Sequence, residues 1–256
     1  MLKIPRFKYA RFKYDNLHLM CAYDYYRTNA FESWIRENVQ DKVVCDLGAG
    51  TGILLWLAYR NGAKRVIGIE KELQTLEILR DRFKDIPEIE IIEGDIHEMD
   101  YPESDIYLQE NIGAQFIQER IDLLFENCKR QGVIDKVYPN RFKILEGICE
   151  EEIFISVESD KNFMEGSREF FKKYNLTPKQ MLVDSKTKVL YTRHEGHISE
   201  FEVEMLKRDV EKEACHGVRF FSMLWEMSFD GSYVLSNYLT PSHWRASWGF
   251  LLDGST

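Results

Sequence analysis

The sequence contains no apolar run that approaches the roughly 18 residues required to cross a membrane. Its N-terminus, MLKIPRFKYARFKYDN, is basic but lacks the apolar stretch of a secretory signal. No repeat and no low-complexity segment is present. From these absences we expect a protein with no membrane partner.

Cysteine is scarce and unpatterned, because the five residues at positions 21, 45, 128, 149 and 215 include no CxxC pair. This usage predicts reduced thiols in a cytoplasmic protein. His194 and His197 in HEGH lack the spacing of a metal-binding HExxH motif, so no metal site is predicted. The net charge of −9 argues against coating nucleic acid but is compatible with a basic substrate.

Strand-like and helix-like segments alternate over the first half of the chain. KVVCDLGAG and RVIGIEK predict buried strands, whereas ILLWLAYRNGA has helical spacing and stops at an Asn-Gly pair. Further strands are predicted at IEIIEGD and DIYLQE, with helices at LQTLEILRDRFKD and FIQERIDLLFENCKR. The alternation predicts an α/β fold with a doubly wound parallel sheet.

The sequence changes character after Pro139. RFKILEGICE, EIFISVES, KVLYTRHEG, ISEFEVEMLKR and VRFFSMLWEMSFDG predict short antiparallel strands. We therefore expect a helical N-terminal segment over 1–40, the doubly wound domain over 41–138, and a smaller β-rich domain over 139–256 with an insertion near 160–188.

The segment DLGAGTG places glycines at 48, 50 and 52 between a predicted strand and a predicted helix. Glycine permits a sharp turn and lets a ligand approach the helix N-terminus, although such turns also occur in α/β proteins of other kinds. Glu70 ends the next strand, where a carboxylate can accept both hydroxyls of a ribose. Asp95 follows the third strand, where it can meet an adenine. Together these residues predict a nucleoside site, with no ligand role for the neighbouring His97.

Four segments carry a resemblance to one family. VVCDLGAGTGILLWLAYRNGAKRVIGIE resembles the first motifs of class I S-adenosylmethionine-dependent methyltransferases, and is most similar to the protein arginine methyltransferases. ENIGAQFIQER resembles that family's two glutamates nine residues apart, LTPSHWRASW its Thr-His-Trp loop, and HLMCAYDYYRT its first helix. The resemblance implies a Rossmann-like domain followed by a β-barrel-like domain, S-adenosylmethionine as cofactor, and methylation of a guanidinium nitrogen in a protein, a peptide or free arginine.

The resemblance also implies the residues of the site, and it pairs the methionine carboxylate of the cofactor with Arg27. The implied cofactor-binding residues are Arg27, Asp46, Gly48, Gly50, Gly52, Ile53, Leu54, Glu70, Lys71, Asp95, Ile96 and Glu110. Glu110, Glu119, His243 and Trp244 are implied to hold the substrate. His243 is implied to act with Asp24, and His18 and Thr28 match the first helix.

A pair of carboxylates suits a guanidinium, because arginine stays protonated at neutral pH yet methylation requires a lone pair on one nitrogen. Glu110 and Glu119 can clamp the planar cation and draw its charge toward the other nitrogens. The spacing brings them together if Glu110 ends the fourth strand, Gly113 turns the loop, and Glu119 lies early in the next helix. Taken alone, Glu119 beside Arg120 is typical of a solvated helix residue.

Two of the departures from the family affect the predicted substrate site and the second domain. Asn111–Ala114 differ from the residues that usually follow the first glutamate, and the chain ends 12 residues after Trp244, which predicts an abbreviated barrel. Two alternatives therefore stay open: an enzyme of the same cofactor class with an amide or amine nucleophile, and a catalytically silent scaffold. A homodimer is expected if the segment 163–184 serves as a dimerisation arm.

Overall fold

A computed structural model describes residues 24–113, 116, 119–149, 154–156, 180–182, 187–206, 220–239 and 250–251. The chain divides into two compact units. The first unit comprises Met1–Glu110 with Lys136–Tyr138, and the second comprises Asn111–Asp135 with Pro139–Thr256.

The first unit contains a parallel sheet of five strands in the order β3-β2-β1-β4-β5. The strands are β1 (Val43–Leu47), β2 (Arg65–Glu70), β3 (Ile89–Glu93), β4 (Ile106–Gln109) and β5 (Val137–Tyr138). The apolar runs of β1, β2 and β4 are buried, as expected of parallel strands covered on both faces, whereas the edge strand β3 buries only Ile89. The order reverses between β1 and β4, so a topological switch point lies at the carboxyl end of β1. The predicted doubly wound sheet is confirmed.

The described part of the first unit contains three helices: α1 (Tyr25–Asn38), α2 (Ile53–Arg60) and α3 (Leu73–Phe83). Asp24 caps α1, because its side chain accepts a hydrogen bond from the backbone N–H of Arg27. The helix buries Phe31, Trp34 and Ile35, and the Trp34 ring lies 4.4 Å from that of Tyr138. These contacts fix the helix that carries Arg27.

The second unit contains an antiparallel sheet in the order β11-β10-β6-β9, with β12 paired to β10 and a separate pair β7-β8. The strands are β6 (Arg141–Cys149), β7 (Phe154–Ser156), β8 (Gln180–Leu182), β9 (Thr187–His197), β10 (Phe220–Phe229), β11 (Ser232–Ser236) and β12 (Phe250–Leu251). Helix α4 (Ile121–Arg130) precedes them in the chain. The predicted antiparallel structure after residue 139 is confirmed.

One predicted strand is wrong. The run ISEFEVEMLKR contains two 3₁₀ turns instead, at Ile198–Glu200 and Val203–Leu206. Ile198 and Phe201 are both buried, and residues three apart share one side of a 3₁₀ turn. The side chain of His197 also accepts the backbone N–H of Ser199, which starts the first turn.

Among the cysteines whose side chains the structure describes, Cys45 is buried in the central strand β1 of the first unit and Cys128 in α4 of the second. Neither forms a disulfide. Among the described residues, no helix has both the length and the apolar character that crossing a membrane requires.

Candidate functional site

The glycine loop joins β1 to α2 at the switch point of the parallel sheet. The backbone N–H groups of Gly48 and Ala49 donate to the carbonyl of Ile69, which ties the loop to the end of β2. Gly52 has φ 75°, and a Cβ there would lie 2.7 Å from side-chain atoms of Leu79 and Phe83. The loop therefore requires glycine at 52 for both backbone and space. Ile53 and Leu54 follow as the first residues of α2.

The carboxylate of Glu70 is held by three backbone donors from two loops. Oε2 accepts from Gly50 N at 2.9 Å, and Oε1 accepts from Lys71 N at 2.8 Å and Glu72 N at 2.9 Å. An ionised carboxylate has about four acceptor positions. The three bonds therefore fix the orientation of the Glu70 carboxylate and leave it capacity to accept a further hydrogen bond.

Asp46 is the buried acidic group of this site. Burial, with the nearby charge of Glu110 and to a lesser degree that of Glu70, raises the pKa of Asp46 to about 8, although Arg27 opposes the shift. Asp46 therefore carries a proton at neutral pH and can donate a hydrogen bond, which an ionised carboxylate cannot do. The carboxylates of Glu110 and Glu70 and the guanidinium of Arg27 are the charged groups that act on Asp46.

Arg27 forms a buried ion pair with Glu110, the residue that follows β4. The pair joins the first turn of α1 to the carboxyl edge of the sheet, and Arg27 retains 3% exposure and Glu110 17%. Arg27 Nε and Nη2 and Thr28 Oγ1 are buried without hydrogen-bonding partners among the described residues. Buried donors of this kind are almost always paired in folded proteins. They fit a ligand carboxylate, such as that of the methionine part of S-adenosylmethionine.

A second group of polar residues follows β3. Lys71 Nζ lies 3.3 Å from Asp95 Oδ2, and Asp95 Oδ1 accepts from the backbone N–H of His97 at 3.0 Å. Ile96 is buried, and its carbonyl accepts a hydrogen bond from the Tyr101 hydroxyl. The structure therefore brings the predicted residues Glu70, Lys71, Asp95 and Ile96 to neighbouring strand ends.

Glu119 lies in the second unit, in a turn directly before α4. We expected it early in that helix, and this expectation is wrong because α4 begins at Ile121. Arg120 has φ 57° and Phe116 has φ 65°, and a left-handed backbone cannot continue an α-helix. Glu119 is exposed.

Phe116 anchors the loop that carries Glu119. Its ring is fully buried, with ring centroids 5.2 Å from Phe201 and 6.0 Å from Trp225. Its backbone N–H donates to the carbonyl of Gly113 at 2.8 Å, so the expected turn does start at Gly113. A left-handed Phe costs on the order of 1–3 kcal/mol, which the aromatic packing must offset.

Two predicted residues, His243 and Trp244, lie outside the described residues, and so does His18. The pairing of His243 with Asp24 therefore stays a prediction. His97, to which we assigned no ligand role, lies with its imidazole Nδ1 2.8 Å from Asp95 Oδ1.

The 3-2-1-4-5 sheet, the glycine loop and the fixed acid at the end of β2 are typical of α/β domains that bind a nucleoside at the switch point of the sheet. Residues 44–131 match the family model described as "Methyltransferase domain". Proteins that match this chain in sequence include arginine methyltransferases, in agreement with the resemblance that its motifs carry.

Two curated relatives are histone-arginine methyltransferases named CARMER. The protein of Drosophila willistoni is 26% identical over 247 residues, covering 82% of this chain and 44% of the relative. That of Anopheles gambiae is 30% identical over 154 residues, covering 55% of this chain and 24% of the relative. The chain thus spans less than half the length of these curated relatives.

Solved structures share the fold. The Trypanosoma brucei PRMT1 enzyme–prozyme heterotetrameric complex with AdoHcy matches with a TM-score of 0.62 and 22% identity, covering 93% of this chain and 82% of that chain. Arabidopsis thaliana protein arginine methyltransferase 10 matches with a TM-score of 0.60 and 16% identity, covering 92% and 82%. At these identities the likeness establishes the fold.

Proposed function

We propose that the chain is an S-adenosylmethionine-dependent N-methyltransferase that methylates a guanidinium nitrogen of arginine in a protein, peptide or free arginine-like substrate. The observation that carries the proposal is the buried Arg27–Glu110 pair beside the glycine loop. The pair places two atoms of Arg27, Nε and Nη2, that have no partner among the described residues beside an acidic group at the carboxyl edge of the parallel sheet.

Different residues of the first unit would hold different parts of the cofactor. Glu70 would accept the ribose hydroxyls, since three backbone N–H groups already orient its carboxylate. Arg27 would hold the methionine carboxylate through Nε and Nη2. Protonated Asp46 would donate a hydrogen bond from the end of β1. When bound, S-adenosylmethionine supplies an electrophilic methyl group on a sulfonium sulfur.

Glu110 and Glu119 would bind and orient the substrate. Charge-assisted hydrogen bonds from a guanidinium to two carboxylates hold the planar group and localise its positive charge away from one terminal nitrogen. Their contribution to catalysis would be positioning and electrostatic stabilisation. His243, with Asp24, would receive the proton that the nitrogen loses.

We also propose a homodimer in the cytoplasm. Reduced thiols support the location, and the segment 163–184, of which the described residues include only 180–182, is the proposed arm. A monomer mass by light scattering at tens of micromolar would remove the dimer from the proposal.

The activity is tested by mass spectrometry of arginine-containing peptides, free arginine, and amide or amine analogues incubated with labelled S-adenosylmethionine. We expect label only on guanidines. Glu119→Gln should lower the rate on the order of 10²–10³-fold, since it removes one charge opposite the cation. Glu126→Gln, an exposed acid on α4, is the matched control and should retain the full rate.

Label on an amide or amine and on no guanidine would establish the other-nucleophile alternative. A protein that binds no cofactor in calorimetry would be the silent scaffold. Full activity in Glu119→Gln would remove the carboxylate clamp from the mechanism.

A further inference from the structure

Helix α3 packs against the glycine loop with one face. Leu79, Arg82 and Phe83 lie three and four positions apart, so their side chains project from the same side of the helix. Leu79 and Phe83 are buried, and their side chains occupy the space that a Cβ at Gly52 would enter. The same face carries Arg82, whose Nη1 atom donates a hydrogen bond to the carbonyl oxygen of Thr51. The loop is therefore held by a charged donor on α3 as well as by the end of β2.

The bond from Arg82 bears on the orientation of a single peptide unit. The Thr51 carbonyl lies in the same peptide plane as the N–H of Gly52, which donates to the carbonyl of Ala49 at 2.7 Å. Both polar groups of this peptide are thus bonded, one to α3 and the other within the loop. Because a trans peptide is planar, the two bonds together fix the direction in which it faces.

Glycine at position 52 makes this peptide easy to turn over. Reversal of the Thr51–Gly52 plane changes φ of Gly52, and glycine adopts φ values of either sign at similar energy. In the reversed orientation the Gly52 N–H would lose the Ala49 carbonyl, and an oxygen would face the side to which the loop now presents an N–H. The Gly52 carbonyl also accepts the N–H of Trp56 at 3.1 Å, so the change would reach the first turn of α2.

We propose that Arg82 is a positioning residue for cofactor binding, which holds the Thr51–Gly52 peptide so that the glycine loop stays in its binding conformation. The inference rests on the proposed function, since it takes this loop as a part of the chain that contacts S-adenosylmethionine. Arg82 would act through the peptide and not by contact with the cofactor. A guanidinium suits this role because a carbonyl oxygen accepts a stronger hydrogen bond from a charged donor than from a neutral one.

Calorimetric titration of the whole chain with S-adenosylhomocysteine tests the role of the bond. Arg82→Met keeps the aliphatic part of the side chain and removes the donor, so some molecules should hold the loop in the reversed orientation. The apparent affinity is reduced by the fraction of molecules that can bind, and we expect Kd to rise about 5- to 10-fold. Arg82→Lys restores a charged N–H donor and should recover most of the lost affinity. The KM for S-adenosylmethionine should rise with Kd, whereas kcat at saturating cofactor should stay unchanged.

The matched control is Arg80→Met, the same substitution two residues away on α3. Arg80 Nη2 lies 3.7 Å from Glu93 Oε2, and both side chains are about half exposed. This variant should bind S-adenosylhomocysteine as the wild type does, because Arg80 lies on a different face of the helix from Leu79 and Phe83.

A second measurement reports on the peptide itself in the free protein. Hydrogen–deuterium exchange of the Gly52 amide, followed by NMR, should become about 10-fold faster in Arg82→Met and should not change in Arg80→Met. The exchange rate does not require cofactor, so it tests the hydrogen-bonding role of Arg82 separately from the proposed function.

An unchanged Kd in Arg82→Met would overturn the inference, even if the variant is less stable in urea, because the bond would then be structural only. A loss of affinity that Arg80→Met shares, or that Arg82→Lys does not relieve, would also overturn it. So would a Gly52 amide that exchanges no faster in Arg82→Met than in the wild type. Each of these results leaves cofactor binding by the wild type intact. Failure of the wild type to bind S-adenosylhomocysteine would overturn the proposed function and this inference together.

Discussion

Replacing Glu110 with glutamine tests the buried ion pair, because it keeps the side-chain shape and removes the charge opposite Arg27. The guanidinium of Arg27 retains 3% exposure, and its Nε and Nη2 are unpaired among the described residues. Removing one member of a buried pair leaves an uncompensated charge, which costs about 3–5 kcal/mol. At about 2–4 °C per kcal/mol for a chain of this size, Tm should fall by roughly 6–20 °C.

Ionisation of Asp46 should offset part of this loss of stability. The negative charge of Glu110 is one of the causes that raise the pKa of Asp46, so its removal makes ionisation of Asp46 easier. An ionised Asp46 would restore a negative charge near Arg27. The loss of stability in Glu110→Gln should therefore be smaller at pH 8 than at pH 6.

The matched control is Glu90→Gln, which breaks the Arg65–Glu90 pair. These side chains retain 45–51% exposure, so the substitution should cost only about 0–1 kcal/mol. Thermal and urea unfolding followed by circular dichroism measure both variants. If Glu110→Gln loses no more stability than Glu90→Gln, the Arg27–Glu110 pair does not carry the energy assigned to it.

Three further changes test other parts of the site. The folded-state pKa of Asp46, about 8, exceeds its ordinary 3.8, so the folded protein binds the extra proton between these values. Wild-type stability should fall with rising pH across this window by up to about 1.4 kcal/mol per unit, and urea titrations of Asp46→Asn should show a flatter profile. Phe116→Gly should be more stable than Phe116→Ala by about 1 kcal/mol, the reverse of the usual order, because only glycine accepts φ 65° without cost; an Ala variant of higher stability in denaturant would refute the strain. Glu70→Ala should weaken S-adenosylhomocysteine binding about 10- to 100-fold in calorimetry, and an unchanged Kd would remove Glu70 from the site.

The parallel sheet and its glycine loop were predictable because their signals are local. A continuous apolar run indicates a buried strand such as Val43–Leu47, and the glycines follow it directly in the sequence. The acid at the end of β2 follows from the same rule, since the carboxyl ends of parallel strands share one edge. Neighbouring residues in the sequence were enough to locate this part of the site.

Other features depend on contacts between distant residues. Arg27 and Glu110 are 83 positions apart, and nothing local to either indicates that they pair. The start of α4 was misplaced because the sequence from Phe116 to Arg120 has helical character, whereas burial of the Phe116 ring fixes a left-handed backbone. The 3₁₀ turn at Ile198 likewise depends on a cap from His197 and on burial three residues apart. Tertiary packing overrides local preference in each case.

The distribution of buried thiols provides a separate reporter for each half of the molecule. Cys45 lies in the central strand β1 of the first unit and Cys128 in α4 of the second, and solvent reaches neither. A thiol reagent can modify them only when the surrounding structure opens, so the labelling rate of each measures the opening free energy of its own unit. With serine at the other cysteines, 21, 149 and 215, two labelling rates would show whether the parallel sheet and the β-rich unit unfold together or one before the other.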